Sequence, residues 1–329
     1  MATAPDVAAG FSGVVSIRTA EQIEFEQAYG LADRAHEIAM TTGTRLAIAS
    51  AVKGFTAVTV LALVADGLLT LDTTARSLLE GDLPLIDDAV TVEQLLTHRS
   101  GIGDYVDEDL PEPEPLAVPV YALDSTPAYL PALDGFSQKF APGSRFSYCN
   151  AGYVVLALCA ERAAGRPFAA LVHERVCLPG GLTDTGFPRS DALPGNAAIG
   201  YLEDGRTNLF ELPVVGSGDG GAYSTVGDIR AFWTALLGGR LLDPAAVTRM
   251  ATPTTTDTAA GFAYGTGLWL VDGGAMLLLE GADQGVSFRS VHTVATGRTA
   301  TVISNTGDGA WPIAKQLCRG SLGSGRDHR

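Results

Sequence analysis

The chain has 329 residues, of which 46% are hydrophobic and 18% are charged. This composition is typical of a globular protein with a substantial core, and it excludes fibrous and disordered classes. The formal charge of −15 argues against nucleic acid or an anionic membrane as a partner. The four cysteines and five histidines lack the spacing of metal ligands, so we predict no metal site.

The chain begins with strand patterns. Residues 13–16 and 22–29 predict an antiparallel pair, because a short polar turn joins them. No charged segment followed by an apolar segment opens the sequence, and the longest apolar run, residues 58–64, is too short to span a bilayer. We therefore expect a cytoplasmic protein without a membrane span.

A helix is predicted to begin next to Ser50, and it carries Lys53 three residues later. The two side chains would share one helix face at an N-terminus, where free N–H groups favour developing negative charge. A serine becomes nucleophilic when a neighbouring base takes its proton, and a buried lysine can have its pKa lowered enough to take part. Taken alone, the pattern fits an ordinary helix start with a capping serine equally well.

Helical patterns dominate residues 72–206, except for a segment at 107–134 that is rich in proline and acidic residues. Because proline interrupts both helix and sheet, this segment is predicted to be an irregular loop, either a roof over a substrate cleft or a solvated surface loop. Strand patterns then return, at 262–271, 275–280, 286–291 and 299–304.

Strands at both chain ends around a helical middle predict an α+β fold. One antiparallel sheet domain would be built from residues 1–71 and 207–329, and a mainly helical subdomain, residues 72–206, would be inserted into it. The glycine-rich segment 216–221 formally fits a dinucleotide-binding pattern, but it lacks the flanking strands that such a site needs, and no G-x-S-x-G elbow is present. No cofactor is therefore predicted.

Three further segments follow the Ser50–Lys53 pair. They are Leu95-Leu-Thr-His-Arg-Ser-Gly-Ile-Gly-Asp-Tyr105, Phe140-Ala-Pro-Gly-Ser-Arg-Phe-Ser-Tyr148-Cys-Asn150 and Gly220-Gly-Ala-Tyr-Ser-Thr225. In this order and spacing, they closely resemble the penicillin-recognising serine hydrolases: class C β-lactamases, D-alanyl-D-alanine carboxypeptidases, D-aminopeptidases and β-lactamase-like esterases. The resemblance runs from about Phe11 to Asn305 and implies a fold of the β-lactamase/transpeptidase type.

The resemblance also implies roles for individual residues. Ser50 would attack an acyl carbonyl and form a covalent acyl-enzyme. Lys53 would lower the pKa of Tyr148, and either Tyr148 or Lys53 would act as general base, since a tyrosine with its ordinary pKa of about 10 needs a nearby cation for this role. Asn150 would bind both the lysine and a substrate carbonyl. For Tyr148, the alternative is a buried aromatic residue with a satisfied hydroxyl.

The third motif departs from the family, which usually has His or Lys, any residue and then Gly on a strand facing the serine. We align Glu280-Gly281-Ala282 with it, although a shift by one residue also fits. In this alignment the N–H of Asp283 would join that of Ser50 in an oxyanion hole, where such donors contribute ~3 kcal/mol. Glu280 would repel a carboxylate, unless Arg289 neutralises it or binds the anion. Glu280 could instead be an exposed charge on an edge strand.

We therefore predict a serine hydrolase that acts on esters or amides lacking the carboxylate of penicillins and D-alanyl peptides. Its partner would be a small-molecule acyl substrate. Two alternatives stay open: a true β-lactamase or D-alanyl-D-alanine carboxypeptidase, and a catalytically silent ligand-binding protein of the same fold. Hydrolysis and acyl transfer are both compatible with these motifs, as is any oligomeric state.

Overall fold

The computed structural model describes residues 4–19, 22–108, 116–255 and 262–319. The proline-rich centre of the loop that we predict at 107–134 lies outside the described residues. None of the described helices combines the length and the apolar character of a membrane span.

Strands come from both ends of the chain. In chain order they are β1 (Gly13–Arg18), β2 (Ile23–Tyr29), β3 (Leu31–Asp33), β4 (Ile38–Ala39), β5 (Leu46–Ala47), β6 (Tyr223–Ser224), β7 (Ala263–Tyr264), β8 (Trp269–Val271), β9 (Met276–Asp283), β10 (Val286–Thr293) and β11 (Arg298–Ser304). Within the described ranges, seven of them form one antiparallel sheet in the order β2-β1-β11-β10-β9-β8-β7. Because β1 pairs with β11, the two ends of the chain meet inside this sheet, and the predicted α+β fold is confirmed.

The helices are concentrated in the middle of the chain. They are α1 (Val52–Ala65), α2 (Ala75–Leu79), α3 (Val92–Leu96), α4 (Leu130–Leu133), α5 (Asn150–Ala164), α6 (Phe168–Val172), α7 (Leu178–Gly180), α8 (Val226–Leu237), α9 (Pro244–Met250) and α10 (Trp311–Arg319). Helices α2 to α7 lie within the segment that we predict to be an inserted subdomain. The boundaries of that subdomain, residues 72 and 206, stay a prediction.

Both faces of the sheet are covered by helices. On one face, Val15 and Ile17 of β1 pack with Ile313 of α10. On the other, Val14 belongs to the main core, which includes residues of α1, α5 and α8. Successive strand residues point to opposite faces. Strand β1 is buried at five successive positions and is therefore covered on both sides.

Helix α1 runs through the main core and is buried on nearly all sides, as expected for a helix that is apolar all round. It lies against α5 and close to β9. A Cβ atom added to Gly54 would lie 2.4 Å from Cδ2 of Leu279. The glycine therefore lets the sheet approach the first turn of α1 closely, beside Ser50 and Lys53.

One strand prediction is wrong in detail. Residues 262–271 are not one strand but two, β7 and β8, which pair antiparallel with Ala263 opposite Leu270. The chain reverses around Gly267, whose φ of +76° lies in the left-handed region that glycine adopts readily. The turn falls at Gly265-Thr266-Gly267, a sequence signal that the single-strand prediction overlooked.

Candidate active site

Ser50 lies in a tight turn, Ala49–Ala51, that leads into α1. Ala49 has φ of +45°, an unfavourable conformation for a residue with a side chain. Helix α1 is preceded by Ala51 without any side-chain cap, so Ser50 is not a capping residue. Instead, Ser50 lines a cavity of about 830 Å³.

Lys53 is only 2% exposed and its ammonium group has three oxygen neighbours. Nζ donates to Oγ of Ser50 at 2.9 Å, to Oδ1 of Asn150 at 2.8 Å and to the main-chain carbonyl of Asp219 at 2.9 Å. Burial lowers the pKa of Lys53, while the carboxylates of Asp219 and Glu108 oppose that shift. The structure thus joins Ser50, Lys53 and Asn150, as the motifs suggest.

Tyr148 completes this group. Its hydroxyl shares a hydrogen bond with Ser50, and the centre of its ring lies 5.0 Å from Nζ of Lys53. Trp269 stacks nearly parallel to the ring, with the two centres 5.8 Å apart. Burial, followed by the charge of Glu108, raises the pKa of Tyr148 well above its ordinary value. This direction is opposite to the lowered pKa that the sequence analysis expects.

Asn150 is the first residue of α5, and its amide faces two ways. Oδ1 accepts from Lys53, while Nδ2 donates to the carbonyl of Val106 at 3.0 Å and to Oε1 of Glu108 at 3.1 Å. The start of the helix is held by Asp104, whose carboxylate accepts from the main-chain N–H groups of Asn150 and Ala151. Asp104 is a supporting residue that the sequence analysis missed, although it lies within a quoted motif.

The third motif has a different register from the one we align. A Cβ atom added to Gly281 would lie 2.3 Å from the main-chain oxygen of Ile48 and 2.8 Å from the nitrogen of Ser50. Gly281 is therefore the glycine that faces the serine, and the motif reads Leu279-Glu280-Gly281. The alternative shift by one residue, rather than our alignment, fits this geometry.

The structure does not bring Glu280 and Arg289 to the site. They are direct neighbours across β9 and β10, form an ion pair and do not line the cavity. Neighbouring strand residues point to opposite faces, so Glu280 points away when Gly281 faces Ser50. Ala282 and Asp283 do line the cavity.

Asp219 is a second residue that the sequence analysis missed. It lies in the glycine-rich segment 216–221, which contributes to the lining of the cavity beside Lys53. Its carboxylate accepts from the hydroxyl of Tyr105 at 2.6 Å. Burial raises its pKa, and the charge of Lys53 opposes this. The sequence feature that could have identified Asp219 is an acidic residue inside a run of small residues.

The cavity is acidic. Among the described residues, its lining includes neither Lys nor Arg. It includes six carboxylates, which are those of Asp33, Glu108, Asp191, Glu211, Asp219 and Asp283. Asp33, Asp191 and Glu211 pair with His36, Arg189 and Arg206. The other three lie in the field of Lys53. The charge of the cavity favours a neutral or cationic ligand.

Comparison with known proteins agrees with this geometry. The model of the Beta-lactamase family matches residues 4–312. A D-aminopeptidase from Cereibacter sphaeroides is 26% identical over 97% of this chain and 61% of its own length, and one from Brucella anthropi is 27% identical over 95% and 60%. The chain thus spans about three fifths of the length of these relatives.

A solved structure is also similar. The penicillin binding protein from Bacillus halodurans superimposes with a TM-score of 0.86 at 34% identity, over 93% of this chain and 96% of that one. The match to the family model and this shared fold lead to one conclusion: the chain belongs to the Beta-lactamase family and has the β-lactamase fold.

Proposed function

We propose that the protein cleaves esters or amides through an acyl-enzyme on Ser50, with Lys53 as general base. The observation that carries this proposal is the 2.9 Å contact between Nζ of Lys53 and Oγ of Ser50, within reach for direct proton transfer. A buried lysine with a lowered pKa beside a serine is the arrangement that nucleophilic catalysis needs.

The other two partners of Lys53 support the role of base. The side-chain oxygen of Asn150 and the carbonyl of Asp219 can only accept hydrogen bonds, so each takes one hydrogen from Nζ. The third contact, to Ser50, can run in either direction. When Lys53 is neutral, its lone pair faces the hydroxyl of Ser50 and can take the proton as the oxygen attacks.

Tyr148 is then best placed as a neutral phenol. Its raised pKa argues against a phenolate base and favours a proton donor. Tyr148 would give its proton to the departing oxygen or nitrogen and recover one from Lys53. In the second half-reaction, water would attack the acyl-enzyme and pass its proton back to Ser50 by the same groups.

The oxyanion hole follows from the register of the third motif. With Gly281 packed against the backbone at Ser50, the next N–H along β9 is that of Ala282. We assign the N–H groups of Ser50 and Ala282 to the developing oxyanion, in place of the Asp283 N–H considered from the sequence. Two such preorganised donors commonly supply several kcal/mol of transition-state stabilisation, ~3 kcal/mol for one of them.

The substrate class follows from charge. Where the family usually has a cation, this chain has the apolar Leu279, and the cavity near Ser50 contains Glu108, Asp219 and Asp283. Among the described residues of the cavity, a substrate carboxylate would meet repulsion and no cation besides Lys53, whereas an ammonium group would be attracted. We therefore propose neutral or amine-bearing acyl substrates. The similarity to D-aminopeptidases supports the amine-bearing choice.

Three alanyl 4-nitrophenyl esters test this proposal: one with a free amine, one acetylated and one succinylated, which carry a positive, zero and negative charge. We expect kcat/KM to fall in that order, by about tenfold for each step, since one charge contact in a partly screened site is worth ~1 kcal/mol or more. Asp283→Asn, which removes a lining carboxylate, should narrow the gap for the succinylated ester, while Asp191→Asn, at a lining carboxylate that pairs with Arg189, serves as its control. Preference for the succinylated ester, or efficient turnover of penicillin, would contradict the proposal.

A further inference from the structure

His98 is a buried histidine beside the proposed catalytic group. It is 1% exposed and lies two residues after α3, with φ of +54°. This left-handed backbone conformation is unfavourable for a histidine. In the sequence, no pattern connects His98 to a nucleophile. Its surroundings connect it to Tyr148.

His98 holds the chain on both sides of Tyr148. Its carbonyl accepts from the N–H of Ser147 at 2.9 Å, and its Nδ1 accepts from the N–H of Cys149 at 3.0 Å. Its ring centre lies 4.4 Å from that of the Tyr148 ring. One residue therefore contacts the residue before Tyr148, the residue after it and its aromatic ring.

The hydrogen bonds define the state of the imidazole. A main-chain N–H can only donate, so Nδ1 of His98 is the acceptor nitrogen and the ring proton lies on Nε2. Burial and the charge of Lys53 keep the pKa of His98 well below its ordinary value, so the ring is neutral. Nε2 has no hydrogen-bond partner within the described part of the chain, and the rings of Tyr153 and Tyr264 lie within 5 Å of the imidazole centre.

An imidazole in this setting is unfavourable for stability, because a buried N–H without an acceptor loses its hydration. An apolar residue would avoid that loss, but it could not accept from Cys149. The structure thus combines a strained backbone and an unpartnered N–H with three contacts around one tyrosine. These contacts, rather than any contribution to the core, distinguish His98 from an ordinary buried residue.

We propose that His98 is a positioning residue, which acts through Tyr148 by fixing its backbone and ring so that the phenol oxygen stays against Ser50. The inference rests on the proposed function, because it concerns how well Tyr148 transfers a proton. Small displacements of a proton-transfer group reduce the rate of the chemical step much more than they reduce substrate binding.

Two substitutions separate the contacts. His98→Phe keeps a ring and removes the acceptor for Cys149, whereas His98→Asn keeps an acceptor and removes the ring. For a 4-nitrophenyl ester, we expect His98→Phe to lower kcat by roughly 10- to 100-fold with KM changed by less than about threefold. His98→Asn should recover part of that loss.

His292→Phe is the matched control. His292 is also buried, at 7% exposure, but it bonds Thr299 and stacks on Trp233, and it does not line the cavity. Its replacement should leave kcat within about twofold of the wild-type value, as expected for a residue away from the reacting groups.

A double-mutant cycle with Tyr148→Phe tests whether His98 acts through that tyrosine. Acylation rates of Ser50 are measured by intact-protein mass, per folded molecule as judged by circular dichroism. We expect His98→Phe to have almost no further effect once Tyr148 is phenylalanine. An unchanged rate in His98→Phe alone, or effects that multiply in the double variant, would overturn the inference. If His98→Phe does not fold, the same cycle with His98→Asn decides.

The wild-type measurement separates the two proposals. If wild-type protein shows no acylation of Ser50, the proposed function fails and the inference fails with it. If wild-type protein is acylated while the cycle gives multiplicative effects, only the inference about His98 fails.

Discussion

Lys53 and Asp219 are joined through the backbone, since Nζ of Lys53 donates to the main-chain carbonyl of Asp219 at 2.9 Å. The carboxylate of the same aspartate is held by the hydroxyl of Tyr105 at 2.6 Å. Asp219 therefore orients the lysine with one group and stabilises its charged form with the other. Its charge is the largest influence that opposes the lowering of the Lys53 pKa by burial.

The pH dependence of acylation tests this relationship. If neutral Lys53 is the base, kcat/KM rises with pH along the titration of Lys53, whose pKa lies below its ordinary value. Asp219→Asn removes a charge that favours the ammonium, so the rising limb should move to lower pH. Asp191→Asn is the matched control, because Asp191 also lines the cavity but pairs with Arg189. No shift in Asp219→Asn, or a shift to higher pH, would count against Lys53 as base.

Gly281→Ala tests the close approach of β9 to the serine. The new Cβ would lie 2.3 Å from the oxygen of Ile48 and 2.8 Å from the nitrogen of Ser50, so the backbone has to move. We expect a loss of about 1–3 kcal/mol in the free energy of unfolding and at least a tenfold loss of kcat, on the scale of one oxyanion-hole donor. Gly81→Ala, at an exposed glycine without close neighbours, should change neither. Full activity in Gly281→Ala would refute the register that we derive.

The free energy of unfolding should depend on pH through His292. Burial lowers its pKa in the folded protein to about 4, so between pH 6.5 and 4 the unfolded chain binds a proton that the folded protein does not. The contribution of His292 to the free energy of unfolding is therefore fully present above pH 6.5. It is lost as the pH falls, and the loss reaches about 2 kcal/mol near pH 4.5.

His292→Phe should remove this part of the pH dependence. Urea unfolding at pH 7 and 4.5 gives the loss of stability for each protein, and comparing the losses cancels other titrating groups, including Asp104, whose pKa is raised to about 6. The variant should lose less stability than wild type on acidification. Equal losses in the two proteins would show that His292 does not titrate as its burial suggests.

The fold could be predicted from the sequence because the patterns that indicate it are local. Strand patterns at both chain ends and helical patterns between them require a sheet that closes across the termini, and β1 beside β11 satisfies this. The pair of Ser50 and Lys53 could be predicted for the same reason, since both lie within one helical turn. The hairpin of β7 and β8 was missed although its signal is also local, because Gly265-Thr266-Gly267 marks a turn between the two strands.

The roles of the supporting residues could not be predicted from the sequence, because their contacts join distant parts of the chain. Asp219 meets Lys53 across 166 positions, and His98 meets Cys149 across 51. The register of the third motif also depends on which residue of β9 faces the serine, and a one-residue shift reverses the faces of Glu280 and Gly281. Only the packing of Gly281 against Ser50 distinguishes the two registers.

The most direct measurement is the intact mass of the protein after brief exposure to an activated short-chain ester and, separately, to a penicillin, with Ser50→Ala in parallel. The account predicts an acyl adduct or turnover with the ester that depends on Ser50, and no stable adduct with penicillin. An adduct that persists in Ser50→Ala, or a stable adduct with penicillin and none with the ester, would contradict it.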